Sequence, residues 1–194
     1  MSHRCLLLAA LLAAPTADAE PRVSFGAGAG MVFPNDVADG DSLYLSGELG
    51  VRLWKRLHLV PNAGYWSSSR TTCAPEVVAC AQGRKTSRLD LGLHLRFDIP
   101  LAERVRLFLG AGAGLTRQRV EAWGDQDWVA EATDPSTRLL AGLEFDVTGP
   151  LAAYTLLRYD LIHGAAQNEF KVLGGLRFTP GSSPGPPPAS PGRP

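Results

Sequence analysis

Apolar side chains recur at every second position through eight successive segments of this chain, and glycine, charged or polar residues fill the positions between them. The clearest copy sets Leu89, Leu91, Leu93, Leu95, Phe97 and Ile99 on one face against Arg88, Asp90, Gly92, His94, Arg96 and Asp98 on the other. That is the period-two signature of a strand with unlike sides. Strands are predicted at Val23 to Phe33, Leu43 to Trp54, Leu57 to Trp66, Ser87 to Ile99, Arg104 to Thr116, Ser136 to Val147, Ala152 to Ile162 and Asn168 to Phe178. The connections alternate in length. Lys55-Arg56, Pro100 to Glu103 and Thr148-Gly149-Pro150 are tight, whereas Pro34 to Ser42, Ser67 to Thr86, Arg117 to Pro135 and His163 to Gln167 are mostly longer. The fold class predicted is all-β, an eight-stranded antiparallel up-and-down barrel with both ends of the strand series at the short-turn side.

Alternation alone does not say which face is inside, because a soluble, lipocalin-like binding barrel has the same period with an apolar cavity and a polar exterior. Three features favour charge inside and lipid outside. The polar parity is rich in glycine, with Gly26, Gly28 and Gly30 in the first strand and Gly110, Gly112 and Gly114 in the fifth. Glycines make room for long side chains that cross a narrow interior. Lysine is scarce, while Glu48, Arg52, Asp90, Arg96, Asp98, Arg106, Glu144, Asp146, Arg158, Asp160 and Arg177 share the polar parity, as does His94. They are expected to form an internal network of mutually compensated charges. Aromatics on the apolar parity fall near strand ends, with Phe25, Phe97, Phe145 and Phe178 toward the short turns and Phe33, Tyr65, Tyr159 and Phe170 toward the loops. These are the expected interfacial girdles of a transmembrane barrel. Pro61 and the inward Phe108, Leu140, Leu156 and Leu173 do not fit this parity, so a bulge or register shift is expected in the third and seventh strands.

Met1 to Arg4 is basic, Cys5 to Ala14 is apolar, and Ala17-Asp18-Ala19 is a small-x-small site, so residues 1–19 are expected to be a cleaved signal peptide. No later run is apolar enough for a spanning helix, which leaves a barrel as the form that satisfies every backbone polar group in lipid. Residues 20–178 form the barrel domain, and 179–194, beginning Thr179-Pro180-Gly181, is a proline-rich tail expected to be disordered. Cys73 and Cys80, alone after signal removal, share one loop of an exported protein and are expected to form a disulfide. The 19 basic and 19 acidic residues balance, which gives nucleic-acid binding no electrostatic support.

The chain resembles the small eight-stranded outer-membrane barrels of Gram-negative bacteria, the family typified by the transmembrane domain of outer-membrane protein A. The resemblance rests on architecture and on the closing Gly175-Leu176-Arg177-Phe178. It implies an outer-membrane location, contact with membrane lipid and lipopolysaccharide, recognition of the last strand by the barrel-assembly machinery, and a monomer of structural or surface-interaction role. The alternatives are a small-solute channel, an outer-membrane lipid-modifying hydrolase and the soluble periplasmic barrel.

Candidate chemistry is sparse. Arg158 to His163 faintly resembles the neighbourhood of a lipid A deacylase's His-x-Ser element, but position 165 is alanine. A histidine without a nucleophile performs no acyl transfer by that route. His94 lies between Asp90 and Asp98 on one face, an arrangement that can orient an imidazole. Glu121, Asp125, Asp127, Glu131 and Asp134, with Trp123 and Trp128, make the third long loop a candidate for divalent cations or a partner. No metal-ligand spacing, phosphate-binding loop or nucleophile elbow occurs, so no catalytic residue, metal or cofactor is expected.

Overall fold

Each of the eight alternating segments is a strand in the computed structural model, which describes residues 23–35, 42–72, 82–124, 127–164 and 168–181. The strands are β1 Val23–Pro34, β2 Ser42–Trp54, β3 Leu57–Thr72, β4 Gln82–Ala102, β5 Val105–Trp123, β6 Trp128–Thr148, β7 Leu151–Ile162 and β8 Glu169–Phe178. Every strand pairs antiparallel with its sequence neighbours, and β1 pairs with β8 from Phe25 opposite Phe178 to Pro34 opposite Glu169, closing the barrel. Closure removes every free edge over this height. The proposed signal segment, Cys73, Cys80 and the tail beyond Gly181 lie outside the described residues.

Sidedness follows parity. Leu91, Leu93 and Leu95 of β4 are about half exposed, whereas Asp90, His94 and Arg96 between them are buried. The eight aromatics predicted as girdles all stand on the exposed face, from Phe33 and Tyr159 at 37% to Phe25 at 54%.

Pro61 introduces no register shift. It pairs opposite Leu93 in an unbroken β3–β4 ladder, and on its other side the β2–β3 ladder omits Leu49 and Gly50 and resumes in the same register. Proline lacks only its own N–H, so the ladder loses a rung and keeps its alignment. The register of β7 is likewise continuous from Asp160 opposite Glu169 to Leu151 opposite Phe178. The irregularities fall instead at the short turns, at Arg52/Trp54, Pro100/Ala102 and Asp146/Thr148. Phe108, Leu140, Leu156 and Leu173 point inward because the interior has an apolar stratum, where they cluster with Tyr44 and Tyr154.

Two of the expected loops are largely strand. β3 and β4 remain paired to Thr72 opposite Gln82, and β5 and β6 to Ala122 opposite Trp128. β2 pairs with β3 only up to Trp66, and β7 pairs with β6 only from Ser136. A sheet of β3, β4, β5 and β6 therefore rises above the closed barrel, by about 20 Å for some seven residues at ~3.3 Å each.

Glycines on the inner parity accommodate side chains from other strands. A Cβ at Gly64 would collide with the Tyr44 hydroxyl and ring, and one at Gly92 or Gly114 with the Arg138 guanidinium. Tyr44 cannot yield, being fully buried with the Lys171 ammonium 4.6 Å from its ring centre. Gly64→Val is expected to destabilise the barrel by about 1–3 kcal/mol through overpacking. Gly47→Val is the matched control, since a Cβ there meets nothing within 4 Å on the outer face. Urea titration of both variants, followed by the heat-sensitive mobility of the folded band, checks the difference; equal midpoints would contradict the packing argument.

Candidate functional site

The interior holds two layers of ion pairs with the apolar stratum between them. The vertical order is set by position on each strand. On β6, Leu140 separates Arg138 from Glu144, and on β8, Leu173 separates Lys171 from Arg177.

The layer toward the short turns is built on Glu144 and Glu48. Glu144 accepts from Arg96 at 2.7 Å and from Arg106 at 3.0 Å, and also pairs with Arg177. Arg177 reaches across the barrel seam to Glu48, with its Nε 3.1 Å from Oε1. Asp98 takes the Arg96 Nε at 2.6 Å and lies 3.3 Å from His58. Arg106 also pairs with Asp146 at the partly exposed mouth. The Arg96 guanidinium lies 4.2 Å from the Phe108 ring centre, joining this layer to the apolar stratum.

The layer toward the long loops centres on Lys171, whose side chain is 0% exposed. Its ammonium contacts Asp90, lies 2.6 Å from Asp160 Oδ2 and 2.7 Å from Glu169 Oε2. Arg158 bridges two of the same carboxylates, at 3.0 Å from Asp90 and 2.6 Å from Asp160. Thr116 donates to Asp90 at 3.1 Å, Arg88 pairs with Glu169, and the Trp66 indole donates to Glu169 at 3.0 Å. Arg138 lies 3.5 Å from Asp160 and donates to Asn62 at 3.1 Å. Asp90, Asp160 and Glu169 bring carboxylate oxygens within 4.8 Å of one another, the grouping of a small cation site. The Lys171 ammonium contacts all three.

Of the interior charges expected from sequence, Glu48, Arg96, Asp98, Arg106, Glu144, Asp146 and Arg177 meet in the lower layer, and Asp90, Arg158 and Asp160 in the upper. Arg52 is half-buried and joins neither by an ion pair among the described residues. His94 is buried between Asp90 and Asp98, but both carboxylates are engaged by other groups, and it is His58 that sits on Asp98. Arg88, Arg138, Glu169, Lys171 and His58 were not among the expected network, although their parity places each of them inward.

The expected acidic loop is a hairpin in which Glu121 and Glu131 face arginines, and Asp125 lies outside the described residues. Glu131 accepts from Arg117 at 2.8 Å and Arg119 at 3.3 Å, and Glu121 accepts from Arg119 at 2.8 Å. The hydrogen bond and charge of Arg117 hold the Glu131 carboxyl below its ordinary value. Asp127 accepts from the Gly124 N–H at 3.1 Å, closing the tip where Gly124 adopts φ 135°. At the rim, His163 Nε2 lies 2.9 Å from the Thr137 hydroxyl.

No protein-family model matches this chain. No curated protein matches it either. Solved structures do. Neisserial surface protein A is similar over 81% of this chain and 96% of its own, with a TM-score of 0.61 at 17% identity. A major outer membrane protein from Thermus thermophilus covers 83% of this chain and 100% of its own, with a TM-score of 0.62 at 11% identity. Ail, the attachment invasion locus protein of Yersinia pestis, in complex with the heparin analogue sucrose octasulfate, covers 82% and 97%, with a TM-score of 0.56 at 11% identity. The chain thus has the eight-stranded antiparallel barrel fold of these small outer-membrane proteins.

Proposed function

We propose that this protein is an integral outer-membrane barrel of structural or surface-interaction role, with an interior plugged by its own side chains. The observation that carries the reading is the inversion of an ordinary soluble surface. Leucines and aromatics ring the outside over the closed height of the barrel, while Lys171, Arg88, Arg138, Asp90, Asp160 and Glu169 are sealed within. A soluble binding barrel needs the reverse, and a continuous water path needs an interior that two ion-pair layers and an apolar stratum do not leave. Strand lengths agree, since β1 has 12 residues and β8 has 10, against roughly 9–11 for a tilted crossing.

Contacts with membrane components fit the same reading. Arg117 stands on the outer face opposite Leu89, and Arg119 and Lys85 follow it upward, the height at which anionic headgroups are expected on this reading. Phe178 closes the ladder between Phe25 and Leu151, which supports its role as the aromatic end of the strand read during assembly. Surface interaction is favoured over a purely structural role by the rising sheet itself, which crossing a bilayer does not require.

The test is mobility on a denaturing gel of outer-membrane extracts, with and without boiling. A band that shifts on boiling is expected for a detergent-resistant barrel. Protein found soluble in the periplasm with no shift would overturn the reading.

A further inference from the structure

The upper layer carries a cation that its carboxylates do not match. Among the described residues it sets Arg88, Arg138, Arg158 and Lys171 against Asp90, Asp160 and Glu169. Lys171, Arg158 and Arg88 take up those three acids at close range. Asp160 alone receives Arg158 at 2.9 Å on Oδ1, and both Arg158 and Lys171 at 2.6 Å on Oδ2. Arg138 is left with a 3.5 Å approach to Asp160 and with a neutral acceptor, the Asn62 amide oxygen. Yet its side chain is 0% exposed. The next inward acid on β6, Asp134, does not replace the missing charge, since it is half-buried at the rim with its carboxylate against Gly164.

The guanidinium is also unmatched in hydrogen bonding. Nη1 donates to Asn62, whereas Nε and Nη2 are buried and have no hydrogen-bond partner among the described residues. A desolvated charge without its hydrogen bonds is among the most unfavourable things a fold can hold. Two hydroxyls in the same state lie around it. Nη2 rests against Gly114, 2.7 Å from where a Cβ would stand, and the residue opposite Gly114 on β6 is Ser136, whose Oγ is buried without a partner. Nη1 rests against Gly92, and one diagonal away across the β3–β4 ladder the Tyr44 hydroxyl, pressed against Gly64, is the other. Arginine N–H groups and two O–H groups thus gather where no acceptor of the chain serves them. A buried water would answer the hydrogen bonds and leave the charge. A single negative charge answers both.

We propose that Arg138 and Ser136, with Tyr44 beside them, hold one small monovalent anion of the class of chloride inside the barrel. The inference does not depend on what the surface binds and rests only on the plugged interior. One excess cation calls for one negative charge, and a divalent anion would reverse the imbalance. A sealed layer filled by side chains has room for an ion of one or a few atoms, which excludes a sugar or a lipid headgroup. The ion is taken up as the barrel closes during folding and becomes part of the layer, the counterpart for Arg138 of what Lys171 is for the three carboxylates.

The experiment uses the full-length protein refolded from urea into detergent micelles in sodium bromide, sodium chloride or sodium gluconate at equal ionic strength. Each sample is first shown to give the boiling-dependent band, so failure of the barrel reading registers separately. Crystals grown in bromide are expected to show an anomalous scatterer in contact with the Arg138 guanidinium. The urea midpoint of the heat-shifting band should rise with the logarithm of chloride concentration, as for a ligand held by the folded state alone, and gluconate, too large to be enclosed, should give no rise. Ser136→Asp supplies the charge covalently and should lose both the scatterer and the chloride dependence. Ser136→Ala removes one donor with little change in volume and serves where the aspartate variant does not fold; its chloride dependence should begin at a roughly tenfold higher concentration, the worth of one hydrogen bond to a charged group. No scatterer beside Arg138, equal midpoints of the native protein in chloride and gluconate, or an unaltered chloride dependence in the Ser136 variants would each overturn the proposal.

Discussion

Lys171→Met is expected to cost about 3–5 kcal/mol of barrel stability, the range for removing one partner from a buried ionic cluster. The ammonium contacts Asp90, Asp160 and Glu169 together, and all four side chains are at most 1% exposed. Methionine is close in volume, so packing is largely preserved and the loss is electrostatic. Arg158 still bridges Asp90 and Asp160, and Arg88 still holds Glu169. What remains is the centre, where carboxylate oxygens within 4.8 Å of one another face each other without their common cation. A sealed interior offers no water to screen them. The measurement is the urea concentration at which the heat-shifting band disappears. Adding Asp160→Asn to Lys171→Met removes one of the opposed charges and should recover part of the loss, the non-additivity that marks a direct contact. Native stability of Lys171→Met would mean that water reaches the cluster, and the plugged interior would have to be abandoned.

Lys171 also shows why part of this site was not legible in the sequence. Within its strand only Glu169, two residues before it, is a partner, and the other two, Asp90 and Asp160, lie 81 and 11 residues away. Parity marks it as inward, but only ladder register brings it level with Asp90. Arg88, Arg138 and Glu169 share that parity too, and it is again register that gathers them into one layer. The barrel was legible where its two faces meet unlike media. Leu89 to Ile99 alternates with charge because lipid-compatible and buried polar positions take turns, and that contrast sets the strand, its sidedness and its neighbours. The contrast fails above the barrel rim. Ser67 to Thr72 is polar on both faces, and Arg117 to Pro135 mixes charge with tryptophan and alanine, so neither segment carries a period to read. Their pairing is continuous all the same, because the ladder of β3, β4, β5 and β6 extends upward from the barrel. Phe108, Leu140, Leu156 and Leu173 illustrate the converse. Apolar residues on the polar parity resemble a register slip, and only the presence of an inner apolar stratum distinguishes them from one.

Leu93→Arg is the second large effect, expected to cost about 2–4 kcal/mol if the outer band faces the middle of a bilayer. Leu93 is 47% exposed at the centre of β4, opposite Pro61 on one side and Ala113 on the other. A residue so exposed on a water-facing surface tolerates arginine within about 0.5 kcal/mol, so one substitution separates the two surroundings. A series along the same strand makes the test quantitative. Leu91→Arg and Leu89→Arg move the charge toward the loop-side girdle marked by Tyr65, which pairs opposite Leu89. Ser87→Arg places it above the girdle, beside Arg119. The cost should fall with each step, reaching roughly 0–1 kcal/mol near the interface, because the side chain gains access to headgroups and water as it rises. Folding into phospholipid vesicles, followed by urea titration, gives each midpoint. A gradient from Leu93 to Ser87 locates the hydrocarbon boundary on β4, and with it the height at which the rising sheet enters water. A flat profile would remove the bilayer from the account, because a leucine face in water gives no reason for the cost to depend on height.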